Sequence, residues 1–387
     1  MRLAFVDPEP PSETGGGIRT YIRLASALCR RRGFEVRIYT HNPGAYADLD
    51  ALPIRRKHCL PRGLRALGYR LCHAEIAAFE HASWLAEELR AGAADFAEFP
   101  DFQGYAYYAL RDAGLRTRVT LRVHTPLYLV YADGTAGTGL AFRLLRYRER
   151  SCLRRALRIT APSGEFVREK LPWLKNYRVI PNPPPPLAGR MEEAQPYAGG
   201  AAFKIAFLGR LESRKGALVL LQAFLSLSET HPQATLTLIG DAADLVYAGE
   251  LNRRLEAAPE GSRRRVFQRP GQTGDKSKLL REFTCLVVPS RWENSPYVFW
   301  EGMAAGIPCL GSDTGEMKRA RTRIGFPRVT PDDAASLAEA LSALIASPEL
   351  RRETVARQNT YLEEVAAASE NLTDFYSQCA PIVSASA

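Results

Sequence analysis

Short apolar runs alternate with amphipathic helical patterns along most of the chain. In the first half, residues 3–6, 36–40, 95–98, 119–123 and 159–161 have the length and composition of buried strands, and a helix is predicted at residues 18–31. Such alternation is typical of a parallel sheet with helices on both faces. The sequence therefore predicts a Rossmann-like domain, doubly wound, at residues 1–180.

Proline and glycine interrupt this pattern between residues 176 and 201, which include the run Pro183 to Pro186. No regular element tolerates that density, so we predict a linker at residues 181–202. The alternation then restarts, with strands predicted at 203–208, 234–239, 266–267, 286–288 and 308–310 and helices at 217–229, 276–282, 335–345 and 348–368. A second Rossmann-like domain is predicted at residues 203–364. Two such domains are expected to face a cleft that binds the ligand.

Composition narrows the class of protein. The 387 residues are 46% hydrophobic and 24% charged, as in globular proteins, and no apolar run is long enough to cross a bilayer. The first residues lack the apolar core of a signal peptide, and the seven cysteines are scattered without metal-binding spacing. We expect a cytoplasmic protein with reduced thiols.

The formal net charge of +10 has two interpretations. Arg143, Arg146, Arg150 and Arg154 recur at helical spacing and could form a basic stripe. A solvated helix face explains this stripe, and so does attraction to an anionic membrane surface or a phosphate-bearing acceptor. Nucleic acid is not expected as a partner, because no nucleic-acid-binding motif accompanies the charge.

The segment from residue 289 to 318 carries the strongest chemical signal. Glu293 and Glu301 flank a tight turn and a predicted helix start, directly after a buried strand. The backbone N–H groups of Tyr297 and Val298 would face an anion such as a diphosphate. Carboxylates beside an anion site suit a ligand with a phosphate and several hydroxyls, such as a nucleotide sugar. A capping carboxylate beside an ordinary surface glutamate explains the pair alone equally well.

Three further places offer candidate ligands, each with a simpler interpretation. Arg210 and Lys215 follow a predicted strand and could balance a diphosphate, although solubilising loop charge is the alternative. Gly16 and Gly17 precede a helix and would let a phosphate approach the backbone, although a turn needs glycine too. His124 follows a strand and could contact a sugar or move a proton, although a lone histidine is often structural.

Together these segments resemble the family 4 retaining glycosyltransferases of GT-B fold. The family pattern has two carboxylates separated by seven residues, then a small-residue helix and a Gly-x-Pro turn. This chain has E-NSPYVFW-E-GMAAGIP at that place. Four further segments also match the family: FLGRLESRKG, GGGIRTYIRLASAL, RVHTP and VIPNP. Departures occur at Asn294-Ser295, Tyr297 and Gly315-Glu316. Ser295 to Val298 is where donor preference is expected to be set.

The resemblance implies a role for each candidate residue. Arg210 and Lys215 would bind the donor diphosphate, Glu301 the ribose and Glu293 the transferred sugar. The resemblance also implies that the amides of Gly16 and Gly17 lie on the phosphate side of the cleft.

The resemblance further implies that His124 lies near the hydroxymethyl group of the sugar or near the reacting centre. It also implies a final helix, at about residues 365–385, that packs back on the first domain. No cofactor and no metal are expected, since the nucleotide-diphosphate sugar is a substrate.

The function predicted is sugar transfer with retention, from a nucleotide-diphosphate sugar to a glycan, lipid-linked or small-molecule acceptor. Two alternatives stay open at this point. A GT-B sugar-nucleotide epimerase or hydrolase would turn over the donor without an acceptor, and a non-catalytic GT-B binding subunit would keep its cellular activity when Glu293 or Lys215 is replaced.

Overall fold

The computed structural model describes residues 1–9, 16–133, 139–187, 202–242, 244–271 and 276–379. Backbone contacts divide the chain into two units. The first comprises residues 1–183 and 367–387, and the second comprises residues 184–366. The chain therefore leaves the first unit once and re-enters it near its end.

The first unit is built on a parallel sheet. Its described strands are β1 (Arg2–Asp7), β2 (Glu35–Thr40), β3 (Asp50–Pro53), β4 (Phe96–Pro100), β5 (Val119–Arg122), β6 (Ile159–Ala161) and β7 (Arg178–Val179). Its helices up to the linker are α1 (Gly17–Arg31), α2 (Arg62–Arg90), α3 (Ala113–Arg116), α4 (Leu127–Ala132), α5 (Gly139–Arg155) and α6 (Gly164–Lys170). The strand order is β3-β2-β1-β4-β5-β6-β7. The order thus reverses between β1 and β4, which are hydrogen-bonded neighbours.

The second unit repeats this architecture with fewer strands. Its strands are β8 (Phe203–Leu208), β9 (Ala234–Ile239), β10 (Val266–Arg269), β11 (Cys285–Val288) and β12 (Cys309–Gly311). Its helices are α7 (Ala217–Leu227), α8 (Leu245–Glu256), α9 (Glu260–Arg263), α10 (Lys276–Leu280), α11 (Tyr297–Ala304), α12 (Gly315–Ile324), α13 (Ala334–Ala346) and α14 (Pro348–Ser369), whose last three residues belong to the first unit. The order β10-β9-β8-β11-β12 reverses between β8 and β11. The predicted doubly wound α/β fold is confirmed in both units.

The last described helix, α15 (Asn371–Cys379), belongs to the first unit. Its Leu372, Phe375 and Tyr376 are buried, and the Tyr376 ring packs against Phe5 and Phe96 with centroids 6.1 Å from each. Burial of these rings removes a large apolar area from water, which is the main force that holds the helix on the sheet.

The sequence did not predict β3, β7 or α2. Asp50 begins β3, and its carboxylate pairs with Arg37 at 2.7 Å. α2 contains a break at Cys72, whose φ of −147° and ψ of 55° are not helical. Within the described residues, no helix combines the length and the apolar content needed to cross a membrane.

Candidate functional site

The loops after β8 and β11 meet because these strands are neighbours at the reversal of strand order. Connections from the two strands run to opposite sides of the sheet, which opens a crevice at their carboxyl ends. Gly216, at the end of the first loop, has φ +73°, and a Cβ there would lie 2.0 Å from the carbonyl oxygen of Pro289 in the second loop. A residue without a side chain is therefore needed for this approach of the two loops.

This crevice gathers a buried carboxylate and two cations. The Glu293 Oε1 atom pairs with the Lys215 ammonium and, at 3.2 Å, with the Arg214 guanidinium. The Ser290 hydroxyl donates to the same oxygen at 3.1 Å. We call Glu293, Lys215, Arg214 and Ser290 the Glu293 cluster.

The charges of the Glu293 cluster control the ionisation of its carboxyl. Burial opposes ionisation of Glu293, but the Lys215 and Arg214 cations outweigh it, and the pKa of Glu293 is lowered. The carboxylate is therefore ionised at neutral pH. It holds two cations at a position where either could instead bind an anionic ligand.

Arg210 lies beside this cluster and not within it. Its side chain is 63% exposed, and it pairs at 3.3 Å with Glu212, which also holds Arg214 at 2.8 Å. The Arg214 guanidinium also lies over the Trp292 ring, 4.8 Å from its centroid. Both Arg210 and Arg214 are loop arginines, and their spacing in the sequence does not show which one turns toward Glu293.

The helix α11 begins next to this cluster with Tyr297 and Val298, and no side chain of the described residues caps its N-terminus. Backbone N–H groups at an uncapped helix start are suited to an anion. Glu301 is the fifth residue of α11. Its Oε1 atom accepts from the Lys276 ammonium at 3.2 Å, while Oε2 is buried and has no hydrogen-bond partner among the described residues. Glu301 therefore retains acceptor capacity.

In the first unit, Gly16 and Gly17 lie at the start of α1, which follows β1, and Gly15 is outside the described residues. The Glu9 carboxylate lies against this helix start and accepts from the Arg19 N–H at 3.2 Å. A Cβ on Gly16 would lie 1.8 Å from Glu9 Oε1. Burial, and secondly Asp7, raise the pKa of Glu9 to about 7. The Glu9 carboxylate, which sequence reasoning missed, thus lies where the Gly16 backbone was predicted to approach a phosphate.

His124 follows β5, and its imidazole packs edge-on against Tyr21 with centroids 4.8 Å apart. Burial, and then the nearby Arg122 charge, hold the pKa of His124 well below its ordinary value. The imidazole is consequently neutral at physiological pH. It can exchange hydrogen bonds with a ligand, but it does not carry a positive charge.

Two buried carboxyl groups hold the loop that carries His124. Asp101, just after β4, accepts from the backbone N–H groups of His124 at 3.0 Å and Thr125 at 3.2 Å. Glu149 on α5 accepts from Leu127 and Tyr128, each at 3.0 Å. Burial raises the pKa of Asp101 to about 7 and that of Glu149 to about 8. Sequence reasoning missed both, although the strand-end position of Asp101 was a usable signal.

The predicted site residues therefore fall into two groups. The second unit brings Lys215 and Glu293 together, with Arg210 beside them, and places Tyr297, Val298 and Glu301 on α11. Gly16, Gly17 and His124 lie in the first unit. The described side chains include no group of three or more His, Cys, Asp or Glu residues that could hold a metal ion.

Comparison with known families assigns each half of the chain. Residues 16–183 match the family model described as glycosyl transferase 4-like domain, and residues 202–347 match the model described as glycosyl transferases group 1. Two doubly wound units with these matches define a glycosyltransferase of the GT-B fold class.

Relatives and solved structures agree with this class. A glycogen synthase of Mycobacterium tuberculosis is 31% identical over 162 residues, which are 40% of this chain and 37% of that protein. An uncharacterised glycosyltransferase of Methanocaldococcus jannaschii is 28% identical over 107 residues, 27% of this chain and 25% of the relative. The matched stretches thus span less than half of these relatives.

Two solved structures match nearly the whole chain. Sucrose-phosphate synthase from Thermosynechococcus elongatus superposes with a TM-score of 0.72 at 17% identity, covering 97% of this chain and 98% of that one. The lipopolysaccharide glycosyltransferase WaaG gives 0.69 at 18% identity, covering 96% and 99%. The chain belongs to the family 4 glycosyltransferases.

Proposed function

We propose that this protein transfers a sugar from a nucleotide-diphosphate sugar to an acceptor hydroxyl, with retention of the anomeric configuration. The observation that carries the proposal is the Glu293 cluster at the strand-order reversal of the second unit, beside the uncapped start of α11. Fixed cations and helix N–H groups in one crevice suit a diphosphate. Family membership supports the reaction class.

Each donor contact has a physical basis. The Lys215 and Arg214 cations would exchange part of their contact with Glu293 for phosphate oxygens, and Arg210, which is exposed, would turn toward the same group. The free Oε2 atom of Glu301 would accept from a ribose hydroxyl. Glu293 would then accept from hydroxyls of the transferred sugar, as the family resemblance implies.

The proposed reaction breaks the bond between the anomeric carbon and the diphosphate oxygen. The acceptor oxygen forms its bond to that carbon on the same face, and its proton passes to the departing phosphate. Cations already in position stabilise the negative charge as it develops, which lowers the barrier without reorganisation. His124, held neutral, would contribute a hydrogen bond to the sugar and no charge.

A uridine nucleotide is the first donor to test. The Anabaena protein HepE was solved with UDP-glucose, and its structure covers 98% of this chain at 17% identity, with a TM-score of 0.71. We carry this over as a proposal about the base only. The acceptor is proposed as a glycan, a lipid-linked sugar or a small molecule, handled at the cytoplasmic face of an anionic membrane.

The test is a titration of UDP, GDP and ADP and their sugars, followed by calorimetry and thermal unfolding. A true donor at about a hundred times its Kd stabilises the folded chain by about 2.7 kcal/mol. We expect Lys215→Met to lose most of this effect. Lys204→Met, at an exposed lysine on β8 of the same unit, is the matched control and should behave as the wild type.

The proposal fails if no nucleotide sugar binds the wild type, or if Lys215→Met binds as tightly as Lys204→Met. Rapid donor consumption without any acceptor would instead identify an epimerase or hydrolase. Product analysis by NMR would separate these outcomes and would report the anomeric configuration.

A further inference from the structure

The first turns of α2 present three leucines to solvent. Leu64, Leu67 and Leu71 are 60%, 55% and 61% exposed. Their spacing of three and four residues places them on one face of the helix. Single exposed leucines are ordinary, but a stripe of three on one helix face marks an interaction surface.

Four arginines on or just before the same turns lack acidic partners among the described residues. Arg62, Arg65 and Arg70 lie on the same turns, and Arg55 precedes them. No ion pair within 4.0 Å involves any of the four among the described residues, whereas the neighbouring Lys57 is paired with Glu87. The segment therefore combines exposed apolar side chains with uncompensated positive charge. We call residues 62–71, together with Arg55, the α2 basic-leucine face.

The rest of the fold holds this segment in place. The Tyr69 hydroxyl, on the side of the helix away from the leucines, bonds to Glu80, and Arg56 donates to it at 3.3 Å. A Cβ on Gly68 would lie 2.9 Å from Ile76, so the backbone lies close to that side chain. The break at Cys72 separates these turns from the buried remainder of α2. Exposure of the leucines therefore follows from the fold, and not from a frayed helix end.

We propose that the α2 basic-leucine face docks on the surface of an anionic lipid bilayer. The three leucines would enter the boundary between headgroups and acyl chains, and the arginines would contact lipid phosphates. Charge complementarity favours a bilayer, because a bilayer offers phosphates on all sides of the leucine stripe. The inference goes beyond sugar transfer and needs no property of the donor site.

This location differs from the basic stripe that the sequence suggested on α5. There, Arg150 and Arg154 lie over the Trp173 ring, with 4.6 Å and 5.4 Å to its centroid. Those two side chains are therefore already engaged within the protein. The α5 stripe also has no row of exposed leucines beside it, since Leu140 is the one strongly exposed leucine on that helix.

Vesicle co-sedimentation tests the proposal with the full chain. The wild type should bind vesicles of phosphatidylcholine with about 30% phosphatidylglycerol at about 0.1 M salt, and not vesicles of phosphatidylcholine alone. Replacing Leu64, Leu67 and Leu71 by serine together should reduce the partition coefficient at least about tenfold. Replacing Leu245 and Val246 on α8, which are 91% and 83% exposed, is the matched control and should change nothing.

A second pair of variants tests the charge. Arg62→Gln with Arg65→Gln and Arg70→Gln should weaken binding and flatten its salt dependence, while Arg143→Gln with Arg146→Gln should not. The proposal is overturned if the wild type does not bind anionic vesicles, or if the Arg143 and Arg146 variant alone abolishes binding. It is also overturned if sedimentation velocity shows a dimer that the leucine variant dissociates, since the face would then bind a second copy. Nucleotide binding, measured in parallel, stays unchanged in every variant and so separates this result from the donor proposal.

Discussion

Glu293 links the stability of the folded chain to the proposed donor binding. Without the Glu293 charge, Lys215 loses the carboxylate that compensates it in a mostly buried position, and Arg214 is left with Glu212. We expect Glu293→Gln to destabilise the chain by about 1–3 kcal/mol and to lower kcat/KM about a hundredfold or more. Urea unfolding and donor-dependent turnover measure the two effects. Glu250→Gln, which removes the surface partner of the exposed Arg253 and Arg254, is the control and should change neither. Unaltered turnover in Glu293→Gln would remove Glu293 from the donor site.

Asp101 links stability to pH at the residue scale. Its ordinary pKa of 3.8 applies to the unfolded chain, and burial raises the pKa to about 7 in the folded chain. Between these values the folded chain binds a proton that the unfolded chain lacks, so stability falls as pH rises through this window, by at most about 1.4 kcal/mol per pH unit.

Asp101→Asn keeps an oxygen to accept from His124 and Thr125 but removes the titration. Urea unfolding between pH 5 and 8, at steps of about one unit, should show a flatter slope for this variant. Asp48→Asn, at a side chain that is 70% exposed, should keep the wild-type slope. A variant slope equal to that of the wild type would mean that Asp101 ionises freely in the folded chain.

At the scale of elements, the turn between β12 and α12 positions Glu293 through its backbone. Gly315, the first residue of α12, has φ +50°, and a Cβ there would lie 2.0 Å from the Glu293 carbonyl oxygen. Gly315→Ala must therefore move the Glu293 loop or α12. We expect a loss of about 2 kcal/mol or more and weaker donor binding.

The matched control for this turn is Gly249→Ala on α8, where nothing lies within 4 Å of an added Cβ. Alanine favours a helix over glycine, so this variant should gain up to about 1 kcal/mol. Thermal unfolding of the two variants, with calorimetry of donor binding, makes the comparison. Equal stability of the two variants would show that the Gly315 approach is not needed.

The same elements show what the sequence could predict. β11 is a continuous apolar run and β8 is apolar apart from Lys204, so their pattern was sufficient to predict both strands. The crevice in which the Glu293 cluster lies follows from the order of these two strands. β3 was missed because it is a partly exposed edge strand that begins at Asp50 and ends at Pro53. α2 was missed because Gly63, Gly68 and the break at Cys72 weaken its helical pattern.

Site contacts were less predictable than site residues. Spacing identified Glu293, Glu301 and Lys215 as candidates, but the choice between Arg210 and Arg214 depends on which side chain reaches Glu293 in space. Glu9 was missed for the same reason, since its contact with α1 depends on where the chain after β1 turns. These contacts depend on the path of the chain in space, and a single sequence carries no direct signal for them.

At the scale of the whole molecule, the first unit is completed by α15, the last described helix of the chain. In its core the buried Glu98 carboxyl accepts from Tyr21 at 2.8 Å and from Tyr376 of α15 at 2.6 Å. Burial raises the pKa of Glu98 above its ordinary value, while Arg122 and both hydroxyls oppose this change. The hydrogen bond therefore fixes α15 at a defined position, in addition to the apolar packing of its rings.

A chain that ends at residue 366 would lose both contributions. We expect peptides from β1 and β4 to lose protection in hydrogen-exchange mass spectrometry, because Phe5 and Phe96 lose the Tyr376 ring that covers them. Peptides from β8 and β11 should keep their protection, and nucleotide binding should persist. Tyr376→Phe removes the hydroxyl alone and should cost about 1–3 kcal/mol. Tyr131→Phe, at a tyrosine that is 39% exposed, should cost nothing measurable. Protection of β1 and β4 at the full-length level in the shortened chain would show that the first unit folds without α15.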